Sequence, residues 1–290
     1  MKIYDCFMYY NEDVVLDLRL NMLNKFVDFF VIVESRFNHK GEEKKLNFDI
    51  NKYPEFKDKI THLVVETEPN NLKTMSDSNK RYNSIRRIEH QRNFVINYFT
   101  KENDNDWLVY SDSDEIPNLE AIDFKSINKK IILFKQKLFY YKFNLCLKSY
   151  PWFGSRACKL KNLKKVSALR NIKPKKYKWW RLDTLFKDNK YTSVNLVDDG
   201  GWHFSDLKSA KKILQKKQND EHHDEFEKSD IDEKKIEHMI KNRYITYNHL
   251  EDKKNTKQKW SNEIKIIKIN SSELPQYLLK NKNKYAEWFD

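Results

Sequence analysis

The sequence predicts an α/β protein with a doubly wound, mainly parallel twisted sheet flanked by helices, and three observations predict it. Short continuous apolar runs, such as Phe29–Val33, Leu63–Val65 and Trp107–Tyr110, are bounded by polar residues; runs of that length fit strands buried on both faces. Between them lie stretches of helical periodicity, giving the order strand, helix, strand, loop, strand, helix, strand of crossover units. Three of the runs end in an acid, at Glu34, Glu66 and Asp112, and in open α/β sheets ligands gather at the carboxyl ends of the strands.

In chain order, Ile3–Tyr10 reads as the first strand, with Asn11 as helix N-cap and Glu12 and Asp13 in the first turn, where acids complement the helix dipole. Val15, Leu18, Met22 and Phe26 recur at helical spacing over 12–26. The second strand follows at Phe29–Val33, then a polar stretch over 35–58 containing His39 and Gly41, then the third strand at Leu63–Val65 and a polar loop over 67–80. From Tyr82 to Phe99 the spacing is helical again, with Ile85, Ile88, Val95 and Phe99 on one face and Arg92 inside that stripe. An arginine there must meet an anion or reach out to water; a phosphate and a structural ion pair are the two readings.

After the strand at Trp107 a short helix is expected through Ile127, then two strands, Ile131–Phe134 and Leu138–Tyr141. The stretch 145–181 interleaves Trp152, Phe153, Tyr177, Trp179 and Trp180 with Lys and Arg. Such aromatics stack on bases or on sugar rings, or simply pack; without any nucleic-acid signature, sugar binding or packing ranks first. Gly200-Gly201-Trp202-His203-Phe204-Ser205 comes next, and His203 taken alone reads as a core histidine. A basic helix is expected from Asp206 to Gln218, an exposed His222-His223 pair in the charged segment 219–230, a helix around Ile236 and Met239, a charged mobile link over 251–262, and a strand over 264–269. The division expected is a nucleotide-binding and catalytic domain, 1–205, with a mostly helical extension, 206–290, packed on it.

Trp107-Leu108-Val109-Tyr110-Ser111-Asp112-Ser113-Asp114-Glu115-Ile116-Pro117 is the stretch around which the chain is organised. A buried strand runs into three carboxylates, and a proline closes it. Two carboxylates ~5–6 Å apart repel by about 3 kcal/mol at an effective dielectric near 20. A hard divalent cation would relieve that repulsion; a solvated acidic turn is the other reading.

Composition narrows the choice. With 4 Gly in 290 residues there is no GxGxxG and no GxxxxGK[ST]. Cys6, Cys146 and Cys158 are odd in number and far apart, so buried thiols in a reducing compartment are expected. No run approaches a membrane span and no signal-peptide pattern opens the chain, so the expected location is cytoplasmic. The net charge of +13 is mostly Lys; it reads as a solvated coat spread along the chain, or as steering for an anionic partner.

These motifs resemble glycosyltransferase family 17, the group of the β1,4-mannosyl-glycoprotein β-1,4-N-acetylglucosaminyltransferase. The resemblance covers most of the chain and rests on Asn11-Glu12 with Leu16, Arg19 and Leu20, on Val27–Ser35, on His39 and Gly41, on Gln91-Arg92-Asn93, on Ser111–Pro117 and on Gly201–Ser205. It implies a GT-A, Rossmann-like fold and an inverting transferase that moves a sugar from a nucleotide sugar, UDP-GlcNAc in the characterised animal enzyme, to a glycan or polysaccharide acceptor. It implies Asp112 and Asp114 as the D-x-D that meets ribose and metal–diphosphate, with His203 as a further metal ligand and Mn²⁺ or Mg²⁺ as cofactor. Glu34, Arg92 and Asn93 join Asp112 as donor-binding candidates. Glu115 and Asp183 are the candidate bases, ahead of Asp198 and Asp199. The animal enzymes' membrane anchor is not matched, so a soluble bacterial or viral enzyme acting on a surface glycan is expected, with no nucleic-acid partner. The alternatives are a metal-dependent nucleotidyltransferase or phosphohydrolase, and a basic nucleic-acid-binding protein.

Overall fold

The computed structural model describes residues 1–290 except 176, 179, 188, 189, 192, 251–259 and 261. Trp179 and nearly all of the charged link expected over 251–262 therefore lie outside the described residues.

The N-terminal half is the parallel sheet that the apolar runs dictate. Strands β1 (Ile3–Met8), β2 (Phe29–Ser35), β3 (Ile60–Val65) and β4 (Trp107–Ser111) lie in the order β3-β2-β1-β4, all parallel. Both faces of β1, β2 and β4 are buried, as continuous apolar runs require, while the edge strand β3 is mostly half-buried. Phe7, Phe30, Ile32 and Val109 face helix α1 (Asp13–Leu23). Tyr4, Val31, Val33, Leu108 and Tyr110 face the other way, towards Val95 at the end of α2 (Asp77–Phe94).

The second half is mixed rather than parallel. Strand β5 (Glu115–Pro117) follows the acidic turn, and β6 (Ile131–Tyr140) carries β7 (Leu145–Cys146) on one side. Strand β8 (Trp152–Lys159) runs antiparallel between β4 and β6. Beyond the short helices α3 (Val166–Arg170) and α4 (Asp183–Phe186), β9 (Val194–Val197) and β10 (Gly201–Ser205) both run parallel to β6, one after the other along its edge. The same β10 pairs antiparallel with β5, which sets His203 opposite Glu115. That pairing joins two motifs almost ninety residues apart.

Local differences from the sequence reading have physical causes. Residues 131–140 form one strand, not two: a bulge between Leu133 and Lys135 breaks the apolar pattern, and Gln136 is buried against Ser155 while Lys135 pairs with Asp198. Trp152–Lys159, read only as aromatic and basic, is a central strand. The helix expected after Pro117 shrinks to one 3₁₀ turn, Leu119–Ala121. Helix α1 is capped at Glu12, not Asn11, and no side chain caps it. Cys6, Cys146 and Cys158 are free and buried, as expected.

The extension after Ser205 folds back onto the sheet. Helices α5 (Ala210–Asn219), α6 (His223–Phe226) and α7 (Glu233–Lys241) precede a two-stranded ribbon, β11 (Tyr244–Ile245) with β12 (Ile264–Lys265), and β13 (Ile267–Lys268) then adds to the main sheet beside β7. Ile213, Ile236, Met239 and Ile245 form one apolar cluster with Leu138 and Tyr141 of the β6 segment. His223 is buried and His222 half-buried, contrary to the exposed pair expected; α6 presses this segment inward. No helix among the described residues is long and apolar enough to cross a membrane.

Candidate active site

A cavity of about 460 Å³ opens at the carboxyl edge of the sheet, where β1, β4 and β10 end. Asp112 and Asp114 supply its floor, Glu12 and Asp206 its flank, Lys216 of α5 its roof, and Trp152 its aromatic wall.

The acidic turn is held rigidly by charge. Arg19 of α1, 0% exposed, makes a two-point ion pair with Asp5 in the middle of β1 and also donates to the Glu115 carbonyl. Glu115 is itself fully buried: its carboxylate accepts from the Asp112 amide at 2.9 Å, from Trp152 Nε1 at 2.7 Å and from Arg170 Nη2 at 2.8 Å. Asp112 points the other way, to Arg92 Nη2 at 3.1 Å and Arg170 Nη2 at 2.7 Å. Burial pushes the Asp112 carboxyl up, but Arg170 and Arg92 outweigh it and hold it below the usual carboxylate range. The ion pair was one of the two readings of Arg92, and its Nε is buried without a partner among the described residues.

Asp114 belongs to a second cluster. The antiparallel pairing of β5 and β10, with the Phe204 amide donating to the Asp114 carbonyl at 2.8 Å, sets His203 Nε2 3.2 Å from Asp114 Oδ1. On the other oxygen stands Lys216 Nζ, at 3.1 Å. Burial raises the Asp114 carboxyl, and Lys216 and then His203 outweigh that, leaving it well below the ordinary range. Glu12 lies beside them, 2.8 Å from Lys208 Nζ and 3.8 Å from Lys216 Nζ. Burial pushes Glu12 up, yet Lys208 and Lys216 bring it down to about 2. Asp206, three residues after His203, adopts φ +54°. Its Oδ2 is 2.9 Å from Lys217 Nζ, while its buried Oδ1 accepts no hydrogen bond among the described residues and lies 3.9 Å from Lys216 Nζ.

Of the residues singled out in the sequence, Asp112, Asp114, Arg92 and His203 meet in the cavity. Six others do not line it, among them Asp198, paired with Lys135, and Asp199, which accepts from Asn118. Glu34 is buried under the loop 44–48, bonded to Lys44 Nζ at 2.6 Å and to the amides of Asn47 and Phe48. Asn93 accepts from the Ser167 amide at 3.0 Å and so fixes the start of α3, which carries Arg170. Glu115 is occupied beneath the floor. Asp183 pairs with Arg181 and Lys190 on α4. Sequence reasoning missed Arg170, Lys216 and Asp206 and gave Glu12 only a helix-end role. Arg170 closes a five-residue helix with no pattern around it, and Lys216 is one lysine among four in α5.

A divalent cation, implied by the resemblance, can be tested against these side chains. The 3.2 Å between Asp114 Oδ1 and His203 Nε2 is close to the roughly 3 Å edge between neighbouring ligands of an octahedral ion with ~2.1 Å bonds. A carboxylate and an imidazole suit Mn²⁺, and a metal shared with a nucleotide takes its remaining ligands from phosphate and water. The pair fits, although no group of three or more His, Cys, Asp or Glu among the described residues is placed to hold a metal. Asp112 anchors two guanidiniums, Arg92 and Arg170.

The family model "Glycosyltransferase family 17" matches residues 1–288, essentially the whole chain. No curated protein matches. Among solved structures, the 2-C-methyl-D-erythritol 4-phosphate cytidylyltransferase of Francisella tularensis matches at 14% identity over 58% of this chain and 76% of its own, with a TM-score of 0.25.

Proposed function

Since the chain belongs to glycosyltransferase family 17, and is by that membership a glycosyltransferase using a nucleotide-sugar donor and a glycan acceptor, we propose that it moves GlcNAc from UDP-GlcNAc with inversion at the anomeric carbon. The observation that supports this most is the β5–β10 pairing, which gathers Asp114, His203 and Lys216 at one end of a cavity whose other wall is aromatic.

The donor diphosphate is dianionic and fits the cationic end. Lys216 and Arg92, whose Nε has no hydrogen-bond partner among the described residues, offer it charge-assisted bonds, and Arg170 holds Asp112 and Glu115 so that the turn keeps its shape. Asp114 and His203 would hold Mn²⁺ or Mg²⁺, which would neutralise charge on the departing diphosphate. The acceptor sugar lies against the aromatic wall. There the Trp152 ring is 4.6 Å from the His203 ring, Tyr150 stacks on His249 at 4.9 Å, and Tyr140 Oη bonds His249 Nε2 at 2.6 Å.

Asp206 takes the role of base. Its Oδ1 accepts no hydrogen bond among the described residues, and Asp206 lines the same cavity, whereas Glu115 and Asp183 are held by other groups. A non-glycine residue held at positive φ is a strained backbone of the kind stored at functional sites. The acceptor hydroxyl proton passes to the Asp206 carboxylate as the new C1–O bond forms and the C1–O(phosphate) bond breaks.

The test is a transfer assay on the full chain with a panel of nucleotide sugars and oligosaccharide acceptors. UDP-GlcNAc as preferred donor and a β-linked product are expected, and a retained α-configuration or another preferred donor overturns the reading. In Asp206→Asn, turnover should fall by about a thousand-fold while donor binding persists; undiminished turnover removes Asp206 as base.

A further inference from the structure

The positive charge of the chain is not spread evenly, contrary to the reading from composition. Residues 159–190 hold twelve Lys and Arg against two acids, Asp183 and Asp188, a surplus of ten within the chain's net +13. This segment leaves the cavity rim at Asn171 and rejoins the sheet at β9.

Within it three large apolar side chains stand in water: Trp180 is 56% exposed, Leu182 71% and Phe186 84%. Single exposed apolar residues are ordinary, but three within seven positions, ringed by cations, mark an interaction surface. Lys173, Lys175, Lys178, Arg181 and Lys187 around them are exposed. The Lys178 ammonium lies 4.9 Å from the Trp180 ring centroid.

We propose that the described residues of the 173–187 segment dock the protein on an anionic lipid bilayer, with Trp180, Leu182 and Phe186 entering the headgroup–acyl boundary and Lys173, Lys175, Lys178, Arg181 and Lys187 facing anionic headgroups. Charge of one sign around aromatic and aliphatic anchors is the make-up of segments that lie in a membrane interface. Nucleic acid shares the charge complementarity but not the anchors: the aliphatic Leu182 has no ring face for a base, and Phe186, the most exposed of the three, sits beside it. The docking stands apart from the donor and base assignments. Because Asn171 lines the cavity, it would place the cavity rim close to the bilayer.

The experiment is co-sedimentation of the full chain with vesicles of phosphatidylcholine alone and of phosphatidylcholine with roughly one third phosphatidylglycerol. Partition onto the anionic vesicles should be at least about ten-fold stronger and should fall as salt rises. Leu182→Ser with Phe186→Ser, and separately Lys173→Glu with Lys175→Glu and Lys178→Glu, should each lower partition by about ten-fold while thermal midpoint and donor binding in solution stay as in the parent. Equal partition onto both vesicle types, no partition at all, variants that bind like the parent, or tighter binding to RNA than to anionic vesicles would each overturn the proposal.

Discussion

Arg19 shows how much one side chain can decide. It is wholly buried, neutralises Asp5 inside β1 and reaches the carbonyl oxygen of Glu115, so the core's one-sided charge and the shape of the acidic turn depend on the same guanidinium. Arg19→Met should lower unfolding free energy by about 3–5 kcal/mol, because it strands a buried carboxylate; a loss below ~1 kcal/mol in urea unfolding would show that Asp5 finds another partner. Glu12 gives a pH signature. Its folded pKa, about 2, lies below the ~4.3 of an unfolded glutamate. Its pairing with Lys208 and Lys216, offset in part by nearby Asp114, is therefore fully stabilising above ~4.3. That contribution, on the order of 3 kcal/mol, is lost as pH falls towards about 2. Glu12→Gln should flatten the acid side of the stability curve over that window, and an unchanged acid limb would contradict the assignment. At this scale the sequence was least legible. Asp112, Asp114, Arg92 and His203 carried a motif, whereas Arg170 and Lys216 are ordinary basic residues until folding brings them to the carboxylates.

At the scale of elements, β10 is what turns two motifs into one site. Gly201 has φ +116°, and a Cβ there would run into the Ile116 carbonyl oxygen of β5, so only glycine lets the two strands pair as closely as the register Gly201↔Pro117 demands. Gly201→Ala should cost about 2 kcal/mol or more in stability. It should also spread β10 from β5, separating His203 from Asp114. The donor-dependent thermal shift would then shrink further than the stability loss alone explains; an unaltered shift would mean that His203 does not depend on this pairing. The parallel strands β1 to β4 could be read directly because burial on both faces leaves continuous apolar runs. Strand β8 could not, since Gly154, Ser155 and Arg156 in its middle are buried polar or small residues that bond one another, Ser111 of β4, Gln136 of β6 and the Ile172 carbonyl beyond α3, a pattern with no period.

At the scale of the whole molecule, the boundary expected at residue 205 separates sequence composition more than it separates structure. The extension supplies Asp206 and Lys216 to the cavity, β13 to the sheet, and Ile269, Leu274, Leu278 and Tyr285 to the same apolar core as Phe7, Phe139 and Phe204. Phe143 meets the rings of Tyr285 and Phe289 at 5.7 and 5.8 Å, and Tyr285 Oη bonds Asp17 of α1 at 2.6 Å. Which face of the sheet these C-terminal elements cover depends on contacts far apart in sequence, which periodicity does not carry. Burying four large apolar side chains is worth roughly 6–12 kcal/mol. A domain of ordinary stability has only about 5–15 kcal/mol in all, so the first 205 residues cannot afford to lose them. The full chain is therefore expected to unfold in one cooperative transition, without a separate melting of the extension. The chain cut after Ser205 should lack a cooperative thermal transition and bind hydrophobic dye. A well-folded 1–205 fragment with native-like near-ultraviolet dichroism would show instead that the extension is an accessory to an independent core.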